Sequence, residues 1–149
     1  MARMLGVDYG ERRIGLAVSD PGGTIAMPLA VVAVRAMAEA VEAVAAASRD
    51  KQAEAVVVGL PLNMNGTEGP AAQTVRTFCE RLRGAVGVPV ETWDERLSTA
   101  SVERMLIASH VRREQRRDVR DKLAAQVILQ GYLDTRVPGS GVEGLDGRE

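Results

Sequence analysis

Apolar residues near the start of the chain alternate with small or polar ones. Leu5 and Val7 alternate within residues 3–9, and Ile14, Leu16 and Val18 within residues 12–19. A period of two predicts strands. Gly10 and Glu11 separate the two runs, so a tight antiparallel hairpin is expected. Asp20, Pro21, Gly22 and Gly23 make a turn, and a third strand is expected over 29–34. The period then changes. Met37, Val41 and Val44 recur at helical spacing in an Ala-rich stretch, which predicts an amphipathic helix over 37–48. Val56, Val57 and Val58 form the short β-branched run that suits a central strand buried on both faces. Residues 61–69 read as a loop. Pro70 opens a second helix with Val75, Phe78 and Leu82 on its core face, and residues 88–93 read as a fifth strand. Ser98 caps a further helix with Val102, Met105 and Leu106 inward. The last helix runs from about Asp118 to Asp134, with Leu123, Val127, Ile128 and Tyr132 inward.

The expected order is βββ-α-β-α-β-α-α. That is an α/β domain on a five-stranded mixed sheet, a three-strand antiparallel meander plus two parallel strands, flanked by helices. Beyond Val137 the chain is Gly-rich and lacks an apolar stripe. Residues 1–137 are therefore expected to form the domain and 138–149 a disordered tail.

Composition narrows the chemistry. With 149 residues, 46% hydrophobic and 26% charged, the chain has the size and balance of one folded domain. No apolar run approaches the roughly 18 residues of a membrane span, and residues 1–7 lead straight into strand-like sequence without a signal-peptide pattern. A single cysteine, Cys79, excludes an intramolecular disulfide and fits a reducing cytoplasm. With that one cysteine and one histidine, His110, neither a Cys-rich nor a His-based zinc site can form. Any divalent cation must be held by oxygen, which points to Mg2+ or Mn2+.

Three carboxylates are placed to do so. Asp8 closes the first strand, within Gly6-Val7-Asp8-Tyr9-Gly10. An acid there is costly unless solvated, paired or metal-bound, and ligands of open α/β sheets collect at the carboxyl ends of strands. The competing reading is a turn aspartate that accepts hydrogen bonds within the hairpin. Glu95 follows the fifth strand, within Trp93-Asp94-Glu95-Arg96-Leu97-Ser98-Thr99. It reaches the same edge as Asp8 if strands one, four and five are parallel. Asp94 competes for its role, and both suit solvated charges beside a helix N-terminus. Asp121 falls in the expected first turn of the last helix with Asp118 three residues before it, and ordinary capping accounts for the pair equally well. Three carboxylates around one edge would accept two divalent cations roughly 4 Å apart, the arrangement that hydrolyses phosphodiesters.

The net charge of −1 gives no global attraction for nucleic acid, but basic residues cluster. Arg112, Arg113, Arg116, Arg117, Arg120 and Lys122 stand against Glu114, Asp118 and Asp121. Arg12 and Arg13 in the hairpin, Arg96 beside Glu95, and Arg112, Arg113, Arg116 and Arg117 are candidate phosphate contacts. A solvated charged face explains the run equally well. Aromatic residues make up 3%, too few for broad stacking recognition of single strands. The segment Gly59-Leu60-Pro61-Leu62-Asn63-Met64-Asn65-Gly66-Thr67 lies at the same edge. It is no Walker loop, but its polar groups are candidates for substrate contact beside the plain reading of a strand-to-helix loop.

These residues together resemble the YqgF/RuvX family, the pre-16S ribosomal RNA nucleases that are also described as Holliday-junction-resolvase-like. The resemblance runs from about Leu5 to Asp134 and rests on four segments in order: Gly6 to Gly10 with Arg13 to Asp20, Gly59 to Leu62 with Gly66, Asp94 to Thr99, and Asp121 to Asp134. It implies an RNase H-like fold, and it implies that Asp8, Glu95 and Asp121 are the metal-binding catalytic carboxylates. It further implies processing of the 5′ end of the small-subunit ribosomal RNA precursor in the bacterial cytoplasm, with the ribosome or its precursor as a partner. A DNA junction resolvase with the same chemistry is the nearest alternative and would require a dimer; monomer and homodimer both suit the sequence. An ATP-binding phosphotransferase, whose phosphate loop the Asp8-Tyr9-Gly10 hairpin resembles, would need a second domain. A non-catalytic nucleic-acid-binding module is the third class.

Overall fold

A computed structural model describes residues 3–96 and 113–135, with the side chains of 113–122 outside the description. The helix expected after Ser98, with Val102, Met105 and Leu106, and the tail at 138–149 lie outside the described residues. The elements run β1 (Met4–Asp8), β2 (Arg13–Ser19), β3 (Ala26–Ala33), α1 (Met37–Lys51), β4 (Ala55–Leu60), α2 (Pro70–Arg83), β5 (Val90–Asp94) and α3 (Arg113–Asp134). The sheet order is β3-β2-β1-β4-β5. The first three strands pair antiparallel, and β1–β4 and β4–β5 pair parallel. This is the expected mixed sheet, in the RNase H-like arrangement.

Alternation along the strands builds two cores. Leu5, Val7, Ile14, Leu16, Val56, Val58 and Val90 pack with α1 and α2 through Val44, Val75, Phe78 and Leu82. Met4, Ala17, Ala26, Ala55 and Val57 face the other way and pack with Ala125, Ile128, Leu129, Tyr132 and Leu133 of α3. Being covered on both sides, β4 is buried from end to end, as its valine run requires.

Helix α3 sits unusually close to the strands because glycines lie beneath it. A Cβ on Gly6 would stand 2.7 Å from Leu129 Cβ and 3.0 Å from the Ala125 carbonyl oxygen. Gly131 in turn leaves room for the indole of Trp93, whose ring atoms would lie 3.1 Å from a Cβ there.

Several boundaries differ from expectation, each for a physical reason. The hairpin link spans residues 9–12 rather than two residues, although Asp8 still pairs with Gly15 across it. Strand β3 begins at Ala26, ahead of the expected residue 29. Its start is secured from afar: Gln130 Oε1 accepts from the Ala26 N–H at 2.8 Å, and Gln126 Nε2 donates to the Ala26 carbonyl at 3.1 Å. The last helix already includes Arg113, so Asp118 lies inside it and is not its N-cap, and Asp121 lies more than two turns beyond Arg113. The core stripe of α3 includes Ala125, Leu129 and Leu133 beside the expected Ile128 and Tyr132, while Leu123 and Val127 are only half-buried.

Replacing Gly6 with alanine should force α3 outward or strain the strand. We expect a loss of about 1–3 kcal/mol, read as a lower urea midpoint with an unchanged m-value. An unaltered midpoint would mean that the helix does not rest on this backbone.

Candidate active site at the carboxyl edge of the sheet

Strands β1, β4 and β5 run parallel, so their carboxyl ends share one edge. Asp8 is the last residue of β1, and Gly59 of β4 pairs with Trp93 of β5. One step beyond β5, the Glu95 N–H donates to the Leu60 carbonyl at 3.0 Å. Asp8 follows Met4 and Gly6 in alternation, which puts it on the α3 face. Glu95 follows Trp93 onto the same face. Between them lies Gly59. A Cβ at Gly59 would come within 2.9 Å of Glu95 Cγ, 3.0 Å of Glu95 Oε2 and 2.5 Å of Ile128 Cδ1. The bare backbone of Gly59 is therefore the floor on which Glu95 rests, with Ile128 of α3 beside it. The sequence carried a signal for this floor, a glycine interrupting a buried β-branched strand, which marks a close approach.

The charges bear out this proximity. Burial, and after it the negative charges of Asp8 and Asp94, push the Glu95 carboxyl up to about 7. Desolvation and like charge both disfavour the ionised form. Its neighbour Asp94 behaves oppositely. Hydrogen bonds from Arg96 hold the Asp94 carboxyl below the usual carboxylate range, with Nη2 to Oδ2 at 2.7 Å and Nε to Oδ1 at 3.0 Å. Two adjacent acids thus divide by strand alternation. Asp94 is paired with Arg96, while Glu95 shares the α3 face with Asp8. This is a geometric reason to prefer Glu95 that spacing could not supply.

The remaining candidates are placed as follows. Asp121 sits one helical turn before Ala125, on the stripe that continues to Leu129, and both of those residues lie against Gly6. Two residues beyond Gly6, β1 ends in Asp8, so the stripe runs toward that end; the Asp121 side chain is outside the described residues. Arg12 and Arg13 are exposed in the hairpin region. Arg96 is engaged with Asp94 and with the carbonyls of Asn63 and Met64. Arg113, Arg116 and Arg117 lie in the opening turns of α3 with side chains outside the description, and Arg112 and His110 lie outside the described residues altogether. Among the described residues no cluster of three or more acidic, His or Cys side chains forms. Cys79 is buried, and burial raises its thiol, as suits packing. Trp93 packs edge-on against Tyr132 at 6.3 Å, a core position rather than a platform for bases.

A mixed sheet carrying acids at the ends of its parallel strands, with a helix laid across them, defines the RNase H-like class, and solved structures share it. Thermus thermophilus RuvC in complex with a Holliday junction substrate matches with a TM-score of 0.60 at 20% identity, covering 91% of this chain and 96% of that one. The fowlpox virus Holliday junction resolvase matches with a TM-score of 0.53 at 12% identity, covering 91% and 99%. Sequence relatives are nearer. A protein of Symbiobacterium thermophilum is 49% identical over 134 residues, 90% of this chain and 93% of its own length. One of Anaeromyxobacter dehalogenans is 50% identical over 136 residues, 91% and 99%. Both carry pre-16S rRNA nuclease in their names. The family model described as "RuvX: Holliday junction resolvase" matches residues 2–135, and the chain belongs to that family. It is accordingly a nuclease, a hydrolase of phosphodiester bonds. No helix among the described residues is long and apolar enough to cross a membrane.

The raised Glu95 carboxyl has a measurable consequence. Between the ordinary carboxylate range and about 7, the folded chain keeps a proton that the unfolded chain has lost. Stability of the chelator-treated protein should therefore fall as pH rises through that window. Glu95→Gln should flatten this part of the profile and raise the melting temperature relative to wild type at pH 8. Parallel profiles for the two proteins would show that Glu95 is not raised by burial and the neighbouring charges.

Proposed function

We propose that this chain processes the 5′ end of the precursor of 16S ribosomal RNA in the bacterial cytoplasm, with Asp8, Glu95 and Asp121 as ligands of Mg2+ or Mn2+. The observation that carries this reading is Glu95 lying on Gly59 under the charge of Asp8. Burial and the nearby charge of Asp8 both disfavour the anionic form of Glu95, and a cation would offset both. The donors are oxygens alone, so the site suits a hard cation and not zinc. When bound, such cations would supply an activated water and stabilise charge on the leaving oxygen.

The chain's own residues do the positioning. Asp8 is held at the end of a strand buried between two cores, and Glu95 is held by its backbone bond to Leu60 and by the Gly59 floor. Arg96 neutralises Asp94, and of the other acids on the α3 face Glu91 is bonded to Tyr132 farther down β5, while Asp8 and Glu95 lie at the carboxyl edge. The position of Asp121 on the stripe of Ala125 and Leu129 supports it as the third ligand. Arg12, Arg13 and the arginines that open α3 suit phosphate contacts, which place a backbone without reading bases. Substrate class follows the names of the relatives, and the ribosome or its precursor is the expected partner.

Asp8→Asn, Glu95→Gln and Asp121→Asn should each lower metal-dependent cleavage of precursor RNA roughly a hundredfold or more, while gel-shift affinity stays within a few-fold of wild type. Cleavage surviving full chelation would overturn the metal mechanism. Replacing Arg113, Arg116 and Arg117 with alanine should weaken binding and flatten its dependence on log salt by about 0.7 per lost phosphate contact on a single strand; an unchanged slope would show a solvated face. The description of the family model favours one second reading, a DNA junction resolvase. Preference for four-way junctions over precursor RNA in matched assays, together with a stable dimer, would replace the first reading.

A further inference from the structure

The link between β4 and α2 is built more firmly than a connection needs. The Asn63 N–H donates to the Thr67 carbonyl at 2.8 Å, and the Asn63 carbonyl accepts from the Gly66 N–H at 2.8 Å. Asn63 Nδ2 donates to Thr67 Oγ1 at 2.9 Å. Asn65 Oδ1 accepts from the Thr67 hydroxyl at 2.6 Å and from its N–H at 3.1 Å. Gly66 closes the turn at a φ of 87°, a conformation that favours glycine. Arg96 reaches over from the end of β5 and donates through Nη1 to the Met64 carbonyl at 3.0 Å and the Asn63 carbonyl at 3.4 Å. Glu68 at the base is held by Arg76 at 2.7 Å.

At the tip of this braced loop stands Met64, 95% exposed, against 57% for Ile25, the next of the exposed large hydrophobics. Its side chain is buried against nothing, so folding gains little from its being apolar. Position gives it another use. Strand β4 lies between β1 and β5, so the loop leaves the sheet edge between the strands that carry Asp8 and Glu95. Arg96 directly follows Glu95, which ties the loop to the same strand end. From Pro61 to Thr67 no side chain is charged. The loop neither repels a polyanion nor grips its phosphates. What it offers nucleic acid is a polarizable apolar tip on a rigid mount, and an unstacked base offers a matching apolar face.

We propose that residues 61–69 form a preformed finger and that Met64 packs against the face of an unstacked base beside the scissile phosphate, thereby setting where along a strand the cut falls. This rests on the nuclease reading above. Met64 is a positioning residue, acting through the base it holds.

The test uses the full chain and a single-stranded RNA carrying 2-aminopurine at successive positions around the cut. Binding is followed in the Asp8→Asn background, so that the strand stays whole. One 2-aminopurine position should change its fluorescence on binding. Met64→Ala should remove that change and weaken binding about tenfold; Met64→Leu should restore most of it. In the cleaving enzyme, Met64→Ala should raise KM rather than lower kcat, and should scatter the cut positions. If wild type cuts while Met64→Ala shows the same fluorescence response, KM and cut positions, the finger is overturned and the nuclease reading stands. If wild type neither binds nor cuts RNA or DNA, the nuclease reading fails and the finger fails with it.

Discussion

Helix α3 packs closely on the sheet because Gly6 and Gly59 lack the side chains that would meet Leu129, the Ala125 carbonyl and Ile128, and Gly131 leaves the same kind of room for Trp93. Close-packed interiors transmit such constraints, since nothing can shift without a neighbour shifting. Ile128 is pressed over Gly59, and Glu95 shares that narrow space. The helix therefore does two things at once. It completes the second core, and it strips water from one carboxylate. The perturbed acidity of Glu95 is a packing effect before it is an electrostatic one, consistent with burial being its largest cause.

Asp94 and Glu95 show how a strand sorts adjacent residues. Successive side chains point to opposite faces, so two acids of similar intrinsic strength meet different neighbours. Arg96 folds back on Asp94 and leaves it an ordinary ion pair, part-exposed and of modest energetic weight. Glu95, directed to the other side, meets Asp8 instead. A fold organised for stability alone would separate such charges. Here Glu95 lies under the charge of Asp8 at the edge where the strands end, which is where α/β sheets gather their ligands.

Much of the architecture was legible because the responsible forces are local. The Leu5/Val7 and Ile14/Leu16/Val18 alternations, the valine run of β4 and Pro70 at the start of α2 all lie where the patterns put them. The start of β3 was not legible, since its support comes from glutamines 100 and 104 residues away. That α3 already includes Arg113 was hidden because residues 113–122 are mostly charged and carry no apolar stripe, while Asp118 imitates a cap. Within the site, Asp8 could be read from its position at a strand end. Choosing Glu95 over Asp94 needed the parity of β5 and a hydrogen-bonding arginine whose further contacts lie 32 and 33 residues away. Neither is written in local composition, and in the sequence the preference for Glu95 rested on the family resemblance alone.

The glutamines that secure Ala26 also bear on how molecules of this protein behave toward one another. Strand β3 is an outer strand, and an open strand edge is a template on which a second chain can add. At its leading end, the N–H and carbonyl of Ala26 are already occupied by side-chain amides, and Pro28, two residues on, has no N–H to give. An incoming strand finds no continuous row of partners there. The contacts that fix the register of β3 within the molecule also blunt its capacity to nucleate aggregates between molecules.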